Sequence, residues 1–278
     1  MPLTELSPHP VDLVSPGFTS NPYPAYKHLL GNEPFYYCAD RRLYYVARHE
    51  LVKTLFRDPR ASSNRVAPMA AALPEPVREF ASPVLKCLEK WVLFLDPPRH
   101  GQLRKIISPA FTSKVISNLE PKISGIANTL VKDMKHSGRC DLVADFAYPL
   151  PVMVIADMLG CPASDYKLIK VWSDHIADFL GSKTTLEKAT NIRTSILQAT
   201  QYFEDIVREQ KRKPKENLLQ NMIEFQGQEK SFSDDHLVAN SIALLFAGHE
   251  TTSNLISNAV YCLHQNPEYG RNAVHLSI

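Results

Sequence analysis

Net charge, paired cysteines and long apolar runs are all missing from this 278-residue chain. Lys and Arg number 31 against 29 Asp and Glu, a formal charge of +2, too small an excess to draw nucleic acid to the molecule. Partners are expected to be small and neutral. No apolar stretch reaches the ~20 residues that span a bilayer. The longest candidates are interrupted by Asp157 or by His249 and Glu250, so no membrane partner is expected. The N-terminus lacks the basic flank and apolar block of a secretory signal. Five cysteines, Cys38, Cys87, Cys140, Cys161 and Cys262, stand without paired or metal-type spacing. That excludes a zinc framework and points to reduced thiols in a cytoplasm. Internal repeats and low-complexity tracts are absent.

Glycine is scarce at 10, whereas proline numbers 21 and falls mostly before residue 165. Rigid turns between helices follow from that balance, rather than flexible linkers. "NPYPAYKHLL" reads as a short helix started by proline, and "FYYCA" and "RLYYVA" as two short strands around a turn at Asp40 to Arg42. "HELVKTLFRD" is again helical. From Pro59 to Trp91, prolines and small polar residues predict a long loop, of the kind that more often serves function. Helices are predicted over Pro97 to Ser108, Ser113 to His136, Ala144 to Leu159, Ser164 to Leu180 and Leu186 to Arg212. The chain is thus mainly α with a small N-terminal β element. The basic run that starts "KRKPKENLLQNMIEF" reads as a solvated face.

One further helix is the longest. Ser233 is its predicted N-cap, with Asp234 and Asp235 in the first turn, and no proline appears until Pro267, so it runs ~50 Å. Within it "LLFAGHETTSN" sets Leu244, Ala247, Gly248, Thr251 and Leu255 in one stripe with the smallest residues in the middle. Gly248 weakens the helix by ~1 kcal/mol relative to Ala, and Thr251 and Thr252 can bond back to the preceding turn. A distorted pocket against which a flat ligand lies is one reading. Close helix packing at a small-residue patch is the other, and the segment alone leaves both open. A zinc reading fails, because "HETTS" lacks the second histidine of H-E-x-x-H.

A second cluster, "LDPPRHGQLRKIISPAF", is expected to start a helix with Asp96 as N-cap and Pro97 at its first position. His100 and Arg104 then stand one turn apart on one face, two donors for an anion such as a carboxylate. Alone, such a pair is usually just solvated.

"NPYPAYKHL", "LFRDPRASS", "FLDPPRHGQLRKIISPAFT", "VIADMLGCP" and "LLFAGHETTSN" together resemble, in chain order, segments of the bacterial soluble cytochrome P450 family of haem-thiolate monooxygenases. The resemblance runs from about Asn21 to about Tyr269. It implies a cytochrome P450 type fold over 1–278, with a helix/β part at 1–58, a substrate loop at 59–96 and a helical part at 97–266 ending in the oxygen-binding helix. It implies a haem cofactor, with His100 and Arg104 on the propionates, Phe111 near the porphyrin edge, and Ala247 and Gly248 facing the ring. Glu250 and Thr251 would be the catalytic acid/alcohol pair that delivers protons to bound dioxygen. Leu244 and Ala247 would touch substrate, with walls from Pro59–Trp91 and Ser164–Leu186. The implied reaction is NAD(P)H- and O2-dependent hydroxylation of a small hydrophobic substrate, with a ferredoxin and its reductase as redox partner. His249 points ~160° from Thr251 around the helix and is not expected to ligate.

The family continues past its oxygen-binding helix with an E-x-x-R helix and a cysteine loop that ligates the iron. Neither occurs in this sequence. Glu209–Arg212 and Glu75–Arg78 match E-x-x-R by letter only. Cys262 lies eleven residues beyond Thr251, ~16 Å along the axis. Metal ligands are therefore expected to be absent, and the chain is expected to be a C-terminally truncated, inactive member with an atypical tail at 270–278. A frameshift after about Tyr269 is the expected origin. The alternatives are a non-enzymatic binder of haem or of a hydrophobic ligand, and a helical interaction protein without haem.

Overall fold

The computed structural model describes residues 13, 15–39, 43–181, 185–227 and 232–269. The expected tail at 270–278 and the turn at Asp40 to Arg42 lie outside the described residues. The chain divides into two units, Met1–Ser62 and Ser63–Ile278.

In the first unit α1 (Pro16–Ser20) begins at Ser15, whose hydroxyl accepts from Phe18 N. The α2 helix (Tyr23–Gly31) follows with Pro24 in its first turn, as the sequence predicts. Strands β1 (Phe35–Cys38) and β2 (Leu43–Val46) pair antiparallel, Phe35 opposite Val46 and Cys38 opposite Leu43. That register brings Phe35 and Tyr44 into a stack at 4.8 Å, the cross-strand contact that stabilises so short a sheet. Leu29 and Tyr36 form its small core, and α3 (His49–Leu55) completes the unit.

The second unit is helical: α4 (Val66–Ala72), α5 (Glu75–Leu88), α6 (Arg99–Ile107), α7 (Ser113–Ser137), α8 (Pro149–Met158), α9 (Tyr166–Gly181), α10 (Leu186–Arg212), α11 (Leu218–Gln226) and α12 (Asp234–Gln265). The long loop predicted over Pro59–Trp91 is not there, because α4 and α5 occupy most of it. Pro74 and Pro76 sit at the start of α5, where a missing N–H costs little. Pro83 is internal, but Val84, Leu85 and Leu88 bury one face of the helix around it, and tertiary burial holds a helix that proline counting would break. A second correction concerns α6. Its N-cap is Pro98 and its first residue Arg99, while Asp96 accepts the Ser63 amide at 2.7 Å, a tertiary contact in place of a cap.

The first half of α12 runs through the centre of this unit, packed by α8, α9 and α10. Leu237, Val238, Ala239, Ile242, Leu245 and Phe246 are buried there, and Trp91 stacks on Phe246 at 6.1 Å. Asn240 is also fully buried yet fully used: it donates to Lys90 O and His236 O and accepts from Val92 N. It thereby pins the 90–92 segment to α12 without leaving a polar group unpaired. Gly160 closes α8 at φ +77°, and a Cβ there would lie 2.3 Å from Gln210 Nε2, so glycine is required twice over.

Candidate functional site

Past Phe246 the surroundings of α12 change. Ala247, Thr251, Thr252 and Leu255 are exposed, whereas His249 and Ser253, on the other side, are buried. The exposed stripe is the one carrying the small residues of the sequence pattern. Thr251 Oγ1 donates to Ala247 O at 2.7 Å, the expected back-bond. The helix is continuous from Asp234 to Gln265. Gly248 departs from the stripe: a Cβ on it would meet Ile155 Cγ1 of α8 at 3.3 Å. Its missing side chain lets α8 approach, which is the close-packing reading, and the opening to solvent belongs to Ala247 and Thr251.

Behind the stripe lies a polar cluster that the sequence pattern does not reveal. His249 is fully buried; its Nδ1 pairs with Ser173 Oγ at 2.8 Å, and its Nε2 has no partner. Burial, and then the Lys170 charge, hold the imidazole down to about 4, so it is neutral near pH 7. The Tyr148 ring packs edge-on against it at 4.1 Å. Tyr148 Oη and Lys170 Nζ both donate to Asp174, and the Lys170 ammonium lies 4.1 Å from the Tyr148 ring centroid. Burial, followed by the charge of Glu250, pushes Asp174 up to about 6. Glu250 is half-buried and accepts from Asn254 Nδ2 at 3.2 Å. His249 faces away from Thr251, as helical geometry requires, but its partners Ser173 and Tyr148 come from distant parts of the chain and have no local signal.

On α6, Leu103, Ile106 and Ile107 are buried, His100 is half-buried and Arg104 exposed. Among the described residues neither side chain sits in an ion pair. Phe111 ends the turn that follows, 42% exposed. Helix α6 touches α12 through Arg99 Nη2 and His236 Nε2 at 3.1 Å. That contact lies eleven residues, ~16 Å, before Ala247 along the axis. Leu244 is half-buried against the core.

An open cavity of about 530 Å³ lies between α4, α5 and the start of α10, where Met69, Val77, Phe80, Leu186 and Ile192 line it. These residues come from the two stretches expected to line a substrate pocket, and Leu244 and Ala247 do not line this cavity. The E-x-x-R matches are surface pairs one turn apart, Glu75 with Arg78 at 4.0 Å and Glu209 with Arg212 at 3.3 Å. No described helix is long and apolar enough to cross a membrane, and no described group of three or more His, Cys, Asp or Glu could hold a metal ion.

The family profile described as Cytochrome P450 matches residues 69–274. The chain belongs to the cytochrome P450 family. It is 31% identical over 250 residues to cytochrome P450 109 of Bacillus spizizenii, covering 88% of this chain and 56% of that protein. It is 32% identical over 273 residues to the vitamin D(3) 25-hydroxylase of Pseudonocardia autotrophica, covering 96% and 64%. Among solved structures it is similar to P450BioI in complex with an acyl carrier protein ligated to hexadec-9Z-enoic acid, with a TM-score of 0.82 and 28% identity over 93% of this chain and 65% of that one. CalO2 also gives a TM-score of 0.82, at 26% identity over 93% of this chain and 63% of that chain. The chain spans about three-fifths of the length of these P450 relatives.

Haem is the prosthetic group the family implies, and the fit of the described residues to it is one-sided. A bare stripe of small side chains is present on α12, and His100 and Arg104, neither in an ion pair among the described residues, stand on α6. A thiolate to face the stripe is not. Burial pushes the Cys87 and Cys161 thiols up to about 11 and about 12, and Cys262 is exposed eleven residues past Thr251.

Proposed function

We propose that this chain forms the distal wall and propionate clamp of a haem-dependent monooxygenase that hydroxylates a small hydrophobic substrate in the cytoplasm. Electrons would come from NAD(P)H through a ferredoxin and its reductase. The observation that carries this reading is the abrupt exposure of α12 at Ala247 and Thr251, after a stretch from Leu237 to Phe246 in which every residue but Leu244 is buried. Haem, when bound, supplies the activation of dioxygen.

The chain's own residues supply the rest. Ala247 keeps the wall flat. Thr251 Oγ1, now donating to Ala247 O, presents a hydroxyl at the stripe that is able to pass a proton from the helix side to a ligand lying against it. Glu250, half-buried beside it, is the group that restores that proton. His100 Nε2 and the Arg104 guanidinium offer donors to two carboxylates, and Phe111 gives an apolar edge. Leu244 backs the stripe from the core side, and Gly248 holds α8 close behind it. With no thiolate facing the stripe, the 278-residue chain by itself is proposed not to turn over.

Hemin titration of the whole chain tests this. Ala247→Trp should weaken hemin binding at least ~tenfold by blocking the stripe, whereas Leu197→Trp, on the exposed side of α10, should leave it unchanged. Equal affinities of the two variants would remove the stripe from the site.

A further inference from the structure

A cavity of about 710 Å³, the size of a small-molecule site, lies at the junction of α7, α8 and α9. None of its lining residues comes from α4, α5, α10 or α12. A molecule held there touches neither the stripe nor the cavity beside α10. The apolar part of the wall takes Leu130 and Met134 from α7, Val152 and Met153 from α8, and the half-buried rings of Tyr148 and Tyr166. Tyr148 is fixed from behind, because its ring packs edge-on against buried His249 and its hydroxyl donates to Asp174. Rings and thioether sulfurs pair better with another π-system than with a saturated chain.

Five charged side chains border the same cavity. Two are committed within the fold: Lys170 donates to Asp174 at 2.9 Å, and Asp145 accepts the Asp141 amide at 2.8 Å. The other three, Asp133, Arg139 and Lys167, are exposed and sit in no ion pair among the described residues. Two uncommitted cations against one uncommitted acid leave an excess of one positive charge. That balance suits a single carboxylate, whose oxygens the Arg139 fork and the Lys167 ammonium can share, whereas the several charges of a nucleotide would also meet Asp133. We infer that this cavity is a second ligand site, for an aromatic carboxylate, with its ring against Tyr148, Tyr166, Met134 and Met153 and its carboxylate on Arg139 and Lys167. The inference depends neither on haem nor on the substrate reading above.

Isothermal titration of the whole chain with three probes separates the contributions: 2-naphthoate, its uncharged analogue 2-naphthalenemethanol, and the saturated decahydro-2-naphthoate. The charge-assisted contact should make 2-naphthoate bind about tenfold tighter than the alcohol. Loss of the π-system should weaken the saturated acid about threefold relative to 2-naphthoate. Replacing both cations, Arg139→Gln with Lys167→Gln, should bring 2-naphthoate down to the affinity of the alcohol and leave the alcohol unchanged. Ala144→Trp, which fills this cavity, should abolish binding of 2-naphthoate, whereas Ala189→Trp, which fills the cavity beside α10, should leave it unchanged. Equal binding of 2-naphthoate and the alcohol by the unaltered chain overturns the carboxylate assignment, even where the substituted chains do not fold. Equal binding of the two acids overturns the aromatic assignment, and binding of no probe overturns the site. Binding that survives Ala144→Trp and is lost in Ala189→Trp moves the ligand to the other cavity and overturns it as well.

Discussion

The two halves of α12 differ in polarity and still more in surroundings. From Leu237 to Ala243 every residue is buried, and Leu245 and Phe246 after them. From Ala247 onward only His249 and Ser253 are buried, while Leu255 is 68% and Tyr261 64% exposed. His249 to Asn254 are polar without a break, whereas the buried half carries one polar side chain, Asn240, with all its bonds made, besides the back-bonded Ser241. The second half places Ala, Thr and Glu at its opening. The first half is architecture, and the second is the surface proposed to face haem.

Truncation sharpens that contrast most. Leu245→Ala should cost ~2–5 kcal/mol, a transfer loss plus a cavity, whereas Leu255→Ala should stay within ~0.5 kcal/mol. Urea unfolding of the pair measures the difference, and equal losses would mean that the second half is covered in solution. A smaller contrast separates adjacent positions. Gly248→Leu drives its side chain into Ile155 and should cost ~1–3 kcal/mol by overpacking. Ala247→Leu, one residue earlier on the open side, should be near neutral in the same unfolding series.

The polar cluster behind the stripe gives a pH prediction with two opposing signs. His249 has its pKa depressed to about 4, so its contribution is full above the unfolded value of ~6.5 and is lost as pH falls through about 4. Asp174 has its pKa raised to about 6, so its contribution is full below the unfolded value of ~3.9 and is lost as pH rises through about 6. Between pH 4 and 6 the two slopes oppose each other and the unaltered chain should show a shallow profile. His249→Gln removes one slope, and stability should then fall as pH rises across that window. Denaturant midpoints at half-unit steps would show it, and a rising profile in the variant would contradict the assignment. Smallest of all, Thr251→Ala removes an exposed back-bond and should change stability by less than ~0.5 kcal/mol by the same midpoints, because an exposed side chain contributes little packing.

How much of this was legible in the sequence follows from how local each signal is. Helix α10 has the predicted limits, Leu186 and Arg212, because an amphipathic stripe with a Thr185 cap is written in consecutive residues. Ser233 caps α12 as predicted, with His236 taking the place usually held by Glu or Gln. Helices α4 and α5 were hidden by their prolines, since what holds them is burial against the core and not propensity. The start of α6 was misread because Asp96 is drawn to Ser63, 33 residues away. At the site, the open positions Ala247 and Thr251 could be read from residue size. The direction of Gly248 could not, because it depends on where Ile155 lies. Nor could the partners of His249, 76 residues away at Ser173.

This chain is proposed to supply the distal wall of a P450 site and no axial thiolate. A carbon monoxide difference spectrum of the hemin-treated, dithionite-reduced chain tests it most directly. The red-shifted Soret band of a thiolate-bound iron should be absent, because only a coordinating thiolate pushes electron density onto the iron in that way. A clear thiolate band from the 278-residue chain would contradict it and would make Cys262, the exposed cysteine on α12, the first residue to replace.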